Sequence, residues 1–158
     1  MPEIMDISTS PVATGGQKRM NQIWNTTYAV GEGCANYTDD VLVVQWMLQK
    51  HFQRPDKKQL LGNGFRVPTH GSCDQATLDV IRIFQMDLIR HKGDSTKVSM
   101  NGQVFPVRQV GEIEKYTLAY LNYNLLLHYP NYFRNPGLDP KISGYLKVLF
   151  GRNPQIKP

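Results

Sequence analysis

Little in this sequence is concentrated in one place. Cys34 and Cys73 are the whole thiol complement of 158 residues. Their spacing demands no bridge, so two unpaired thiols are expected, with an oxidised pair as the alternative in a periplasmic setting. No apolar run reaches the length of a membrane span, so membrane insertion is not expected. The opening MPEIMDISTSPVATGG has no apolar centre and carries Glu3 and Asp6 where a secretory leader would be basic. The expectation is synthesis in the cytoplasm and action at the periplasm or cell wall, after delivery by another machine, release by lysis, or removal of a leader. Basic residues outnumber acidic ones by 18 to 13, for a net charge of +5, but they are scattered. That mild field favours anionic partners without forming a nucleic-acid arm, and no nucleic-acid partner is expected.

Catalytic constellations are equally scarce. His70 and Cys73, three apart, make half of a zinc site; the second half is missing, and His51, His91 and His128 stand alone. Nothing local activates either thiol as a nucleophile. Asp39-Asp40 and Glu112 with Glu114 read as acids at helix starts, where the dipole favours them, rather than as an acid–base pair. The chain is therefore not expected to be an enzyme, and no metal or cofactor is assigned. Asn25-Thr26-Thr27 and Asn36-Tyr37-Thr38 have glycosylation spacing, a pattern that often arises by chance.

What is present is the composition of a folded protein, 41% hydrophobic and 20% charged. Residues 1 to 20 read as a flexible lead-in, and QIWNTTYAV (22–30) as a short strand or packed arm. A first helix is expected from a Thr38-Asp39 cap to Arg54, ahead of Pro55, with Val41, Val44, Leu48 and Phe52 inside. A second runs from an Asp74 cap through Thr77, Ile81, Phe84 and Leu88 to a stop at Gly93. Its pairs Asp79 with Arg82 and Asp87 with Arg90 read as solvated. A third starts between Val110 and Glu114 and ends by Tyr129, with a leucine stripe and a second stripe of Tyr116, Tyr120 and Tyr123. A fourth, over 139–150, would be capped by Asp139 and bury Ile142, Leu146 and Leu149. A weak internal repeat links His70-Gly71-Ser72-Cys73-Asp74, then Thr77, with Asn101-Gly102-Gln103-Val104, then Thr117.

In order along the chain, DVLVVQWMLQ (40–49), HGSCDQATLDVIRIFQ (70–85), NGQV (101–104) and YTLAYLN (116–122) resemble the peptidoglycan-binding-domain-like family. Gln45, Leu48, Thr77, Ile81, Phe84, Gln85, Thr117 and Leu121 carry the resemblance, which spans residues 38 to 122. It implies a mainly α fold: a three-helix peptidoglycan-binding-like core over 37–128 with two short turn-strand elements. An N-terminal arm (1–36) and a C-terminal extension (129–158) with one helix would pack on that core. It implies that Gln85 supports the fold by bonding to a nearby turn. It also implies non-catalytic binding of the cell wall; a phage or contractile-secretion assembly would fit such a module, and a protein–protein adaptor as well. Arg66, His70, Arg82, Arg90 and Tyr123 are then the candidate contacts to a peptidoglycan stem peptide or glycan, cations suiting the stem-peptide carboxylates. Departures from the family pattern fall in turns and loops. His70 and Asn101 replace turn aspartates, Cys73 an aromatic, and Asp74 a glycine. The links 54–69 and 103–117 are longer than usual. The competing expectation is a protein–protein adaptor that reuses the core to hold a hydrolase, effector or tail component.

Overall fold

A computed structural model describes residues 2–7, 20–153 and 155–156. The protein is mainly α. Three helices, α1 (Thr38–Phe52), α2 (Gln75–Lys92) and α3 (Thr117–His128), form the centre. Two shorter helices follow, α4 (Pro130–Arg134) and α5 (Gly144–Gly151). Two small antiparallel sheets flank them: β1 (Glu3–Asp6) with β2 (Gln22–Asn25), and β3 (Val30–Gly31) with β4 (Gln103–Val104).

The interior explains the helices. Every residue of α1 from Asp40 to Leu48 is buried, because this helix is apolar around most of its circumference and runs through the middle of the molecule. In α2 only one stripe is buried, Thr77, Val80, Ile81, Phe84 and Leu88 among it. Ile81, Phe84 and Leu88 share a single cluster with Val44, Leu48 and Leu121, as the spacing of apolar residues requires. Asp74 caps α2, accepting from the Thr77 amide at 2.9 Å and the Thr77 hydroxyl at 2.7 Å. Those bonds hold its carboxyl below the usual carboxylate range. Gly93 ends the helix at φ 52.

The internal repeat is a repeated hydrogen-bonded clamp. The Gln45 carbonyl oxygen accepts from Gly71 N at 2.9 Å, while its NH2 donates to Ser72 O and Thr77 Oγ1, each at 3.0 Å. The Gln85 carbonyl oxygen accepts from Gly102 N at 2.9 Å, while its NH2 donates to Gln103 O at 3.0 Å and Thr117 Oγ1 at 3.1 Å. Both glutamines are fully buried. Each lies 32 residues before the threonine that it binds. One helix thus holds the turn that leads into the next, twice over. Both clamped glycines have positive φ, 88° at Gly71 and 71° at Gly102, a region that a side chain would strain.

His70 and Asn101 occupy matching places. Ser72 N donates to His70 Nδ1 at 3.1 Å, and Gln103 N donates to Asn101 Oδ1 at 2.9 Å. An acceptor is what the turn needs, and an imidazole nitrogen supplies it where the other turn uses a carboxamide.

The termini pack on this core. Asn122 holds the Trp24 backbone through both ends of its carboxamide, at 2.8 and 2.9 Å. Asn25 does the same to Val107, at 3.0 and 2.9 Å. The Trp24 indole donates to Phe133 O, and the Trp46 indole to Asp139 Oδ2 at 2.7 Å. Lys50, nearly inaccessible, pairs with the same carboxylate at 2.8 Å. Leu146, Leu149 and Phe150 of α5 are buried, and Phe150 meets both indoles.

Several expectations are corrected. The lead-in contains β1, paired with β2; the rest of it, residues 8–19, lies outside the described residues. Neither Thr38 nor Asp39 caps α1. Tyr37 holds that position without a side-chain bond, and Asp40 instead accepts from Thr27 N and Tyr28 N at 3.0 Å each. The segment Val110–Lys115 is 3-10, so α3 begins only at Thr117. The C-terminal segment holds two helices, and α5 is capped by Ser143 because Asp139 is engaged by Trp46 and Lys50. Of the two turns only the second leads into a strand; the first runs directly into the cap of α2. Asp87 is buried against Lys57 rather than solvated beside Arg90, and Asp79 accepts from Gln75 rather than pairing with Arg82.

Replacing Gln45 or Gln85 by alanine should destabilise the fold by about 3 kcal/mol each, since a buried glycine amide and a turn carbonyl lose their partners. Chemical denaturation would measure this. A loss under about 1 kcal/mol at either site would show that the clamps are incidental.

Candidate functional site

A cavity of about 560 Å³ lies between the C-terminal half of α1 and the connection that follows it. Gln49, Phe52 and Gln53 form its helical wall. Leu61, Phe65, Arg66, Val67 and Thr69 form the opposite side, and Lys141 reaches in from the C-terminal segment. The 3-10 turn Lys58–Leu61 shapes the connection that carries this wall. Among the described residues, two cations line the groove and no carboxylate does. The Gln49 side-chain oxygen is buried without a protein hydrogen-bond partner. A buried acceptor in that state favours a ligand that brings a donor. Phe52, Phe65 and Val67 supply apolar surface. The groove can therefore take a ligand that combines a carboxylate with N–H or O–H groups and a small apolar part.

The five expected ligand contacts do not converge. Arg66 lines the groove. His70 is turned to its own loop, its Nε2 3.0 Å from Asp74 Oδ2. The Ser72 N–H donating to Nδ1 places the proton on Nε2, so both ring nitrogens serve the cap of α2. Arg82 reaches Glu32 Oε2 at 3.1 Å and covers Gly102, which fastens the β3–β4 pair to α2. Arg90 is exposed on the outer face of α2. Tyr123 lines a different cavity, with Lys92 Nζ 5.9 Å from its ring centre. The other two tyrosines of that stripe are structural: Tyr120 is buried, and the Tyr116 hydroxyl accepts from Gln109 N at 3.1 Å.

Sequence reasoning missed Gln49, Gln53 and Lys141. Gln49 and Gln53 are four apart and so share a helix face, the one signal available; Lys141 carries none, because it arrives from a distant segment. The eight motif residues serve the scaffold, and all lie in the core. Both thiols are half-buried and free; burial pushes each up, with Asp74 adding to this at Cys73 and Glu32 at Cys34. That is the opposite of an activated nucleophile. Asn25 and Asn36 are engaged with backbone, Asn25 fully buried, so neither presents a free carboxamide.

Another cavity, about 390 Å³, lies where the last turns of α1, α2 and α3 meet. It contains His51, whose side chain is only 4% exposed. Burial, aided by Arg54 and Lys57, lowers its pKa from 6.5 to about 3. No protein-family model, no curated protein and no solved structure matches this chain.

Neutral His51 makes stability depend on acid. The unfolded chain binds the proton first as pH falls through 6.5, so the contribution of His51 is complete above that value and is lost toward pH 3. The full effect is on the order of 4 kcal/mol. Melting temperature should fall from pH 6.5 to 4.5 in the native chain and much less in His51→Phe. Parallel curves for the two proteins would contradict the assignment.

Proposed function

We propose that this chain is a non-catalytic module that binds the peptide part of the bacterial cell wall in the groove between α1 and the connection after it. Supporting the scaffold is the doubled glutamine clamp, which falls on the residues of the peptidoglycan-binding-like resemblance. The single observation that carries the ligand class is the pair of cations, Arg66 and Lys141, lining a groove with no carboxylate among its described residues; Gln49, whose side-chain oxygen lacks a protein partner, lines it too. A stem peptide presents carboxylates to such cations and amide N–H groups to such an oxygen. A phage tail or a contractile secretion assembly would supply both delivery and avidity, which a small open groove needs for useful affinity.

A second reading, the adaptor, draws on a separate surface. Tyr28 and Tyr37 are 51% and 57% exposed, and their rings lie 4.8 Å apart. Tyr145, 53% exposed, is tied to neighbouring Asp39 at 2.5 Å. Exposed tyrosines of this kind anchor protein partners such as a hydrolase, an effector or a tail component.

Co-sedimentation with purified sacculi separates the two readings. Arg66→Ala with Lys141→Ala should reduce retention by about tenfold at low salt, on the scale of one lost charge-assisted contact, while Tyr28→Ser with Tyr37→Ser leaves it unchanged. Retention insensitive to the groove variant, or absent in the native chain, contradicts wall binding there. Loss of a co-purifying protein in the tyrosine variant alone supports the adaptor.

A further inference from the structure

The cavity at the converging helix ends holds polar groups that the fold does not use. His51 sits edge-on to Phe52 and Phe84, with ring centres 4.8 Å from each. Both of its ring nitrogens are buried and have no hydrogen-bond partner. The nearest carboxylate, Asp87, is 4.0 Å from Nε2 and is engaged at 2.7 Å by Lys57 and at 3.2 Å by His91. His51 lines the cavity, and its neutral imidazole keeps one donor and one acceptor unanswered just beneath the cavity wall, at the cost of desolvating both.

Charge selects what would answer it. Arg54 is paired with Asp56 at 2.7 Å, and Lys57 with Asp87. Lys92 has no carboxylate partner among the described residues; its ammonium faces the Tyr123 ring. One positive charge is left over, in a cavity whose apolar wall is Phe84, Leu88 and Leu127. The last turns of three helices end here, and their carbonyl ends work against any anion in proportion to its charge, so a single carboxylate held by Lys92 is opposed less than a doubly charged anion. A metal ion is a poor match: Lys57 already occupies Asp87, and no cluster of three metal-ligating side chains exists among the described residues.

We infer that this cavity is a second binding site, for a compact organic monocarboxylate whose anion meets Lys92 and whose polar body hydrogen-bonds to the His51 ring. Its apolar part lies on Phe84 and Leu88. The site is independent of the wall-binding groove, shares no residue with it, and stands or falls separately.

The test is a titration of the full chain with N-acetylalanine, followed by the ring resonances of its histidines, with inorganic phosphate as the dianionic comparison. A saturable millimolar shift of the His51 ring is expected. Lys92→Ala, at the exposed end of α2, should weaken it by about tenfold, as for loss of one charge-assisted contact. His51→Phe should abolish binding as read at the Tyr123 ring. Absence of a saturable shift would overturn the inference and leave His51 as a packed aromatic of the core. So would binding that survives Lys92→Ala undiminished, or phosphate binding as tightly as the carboxylate. If His51→Phe fails to fold, the Lys92→Ala comparison and the phosphate arm still decide.

Discussion

A side-chain carboxamide closed over a stretch of backbone is the interaction on which this structure depends. Gln45, Gln85, Asn25, Asn36 and Asn122 each use both ends of the amide in this way. The physical need is plain. Strands here are two to four residues long and cannot satisfy the buried backbone of the turns and arms between helices. A carboxamide offers a donor and an acceptor spaced like those of a peptide group, so one residue replaces a missing neighbouring strand. The two glutamine clamps set the path of the chain from α1 to α2 and from α2 to α3. The asparagine clamps fix β2, β3 and the segment at Val107 to that frame.

This arrangement separates scaffold from recognition. The motif residues lie inside, where their bonds are internal. The long connection after α1 is free of that duty and forms one wall of the larger groove. Its opposite wall, Gln49, Phe52 and Gln53, belongs to the most buried helix of the molecule, so the groove has one rigid side and one carried by a loop. The charge pattern follows the same division. Lys50 and Asp139 are buried as a pair, whereas Arg66 and Lys141 line a cavity with no acid among its described residues.

Legibility in the sequence followed the range of the interaction. The cap at Asp74, the stop at Gly93 and the stripe through Ile81, Phe84 and Leu88 rest on contacts within a helix or on its period, and the structure has them. The two threonines were readable because a turn repeated with matching residues, and Gln85 because the family resemblance implied a bond to a nearby turn. Asp40 stands in the first turn of α1 as read, but its bonds to Thr27 and Tyr28 were not legible; Asp139 was misread as a cap, since its partner is remote: Trp46 and Asp139 are 93 residues apart. The strand β1 was hidden because its pairing with β2 spans residues of no regular pattern. Arg66 was placed in a groove, but His70 and Arg82 were not, because each is drawn away by a neighbour, Asp74 and Glu32, that only folding brings into line. The unpartnered groups, His51 and Gln49, had no sequence signature at all; being buried without a partner is a property of the surroundings and not of the residue.

Amide hydrogen exchange at Gly71 and Gly102 tests the central claim most directly. Both N–H groups end on a buried glutamine oxygen at 2.9 Å, although they lie in turns. The account predicts that both exchange only through global unfolding, with the same opening free energy as the Ile81 and Phe84 amides in the middle of α2. Exchange of either glycine at the rate of an open loop such as Gly62 to Gly64 would contradict it.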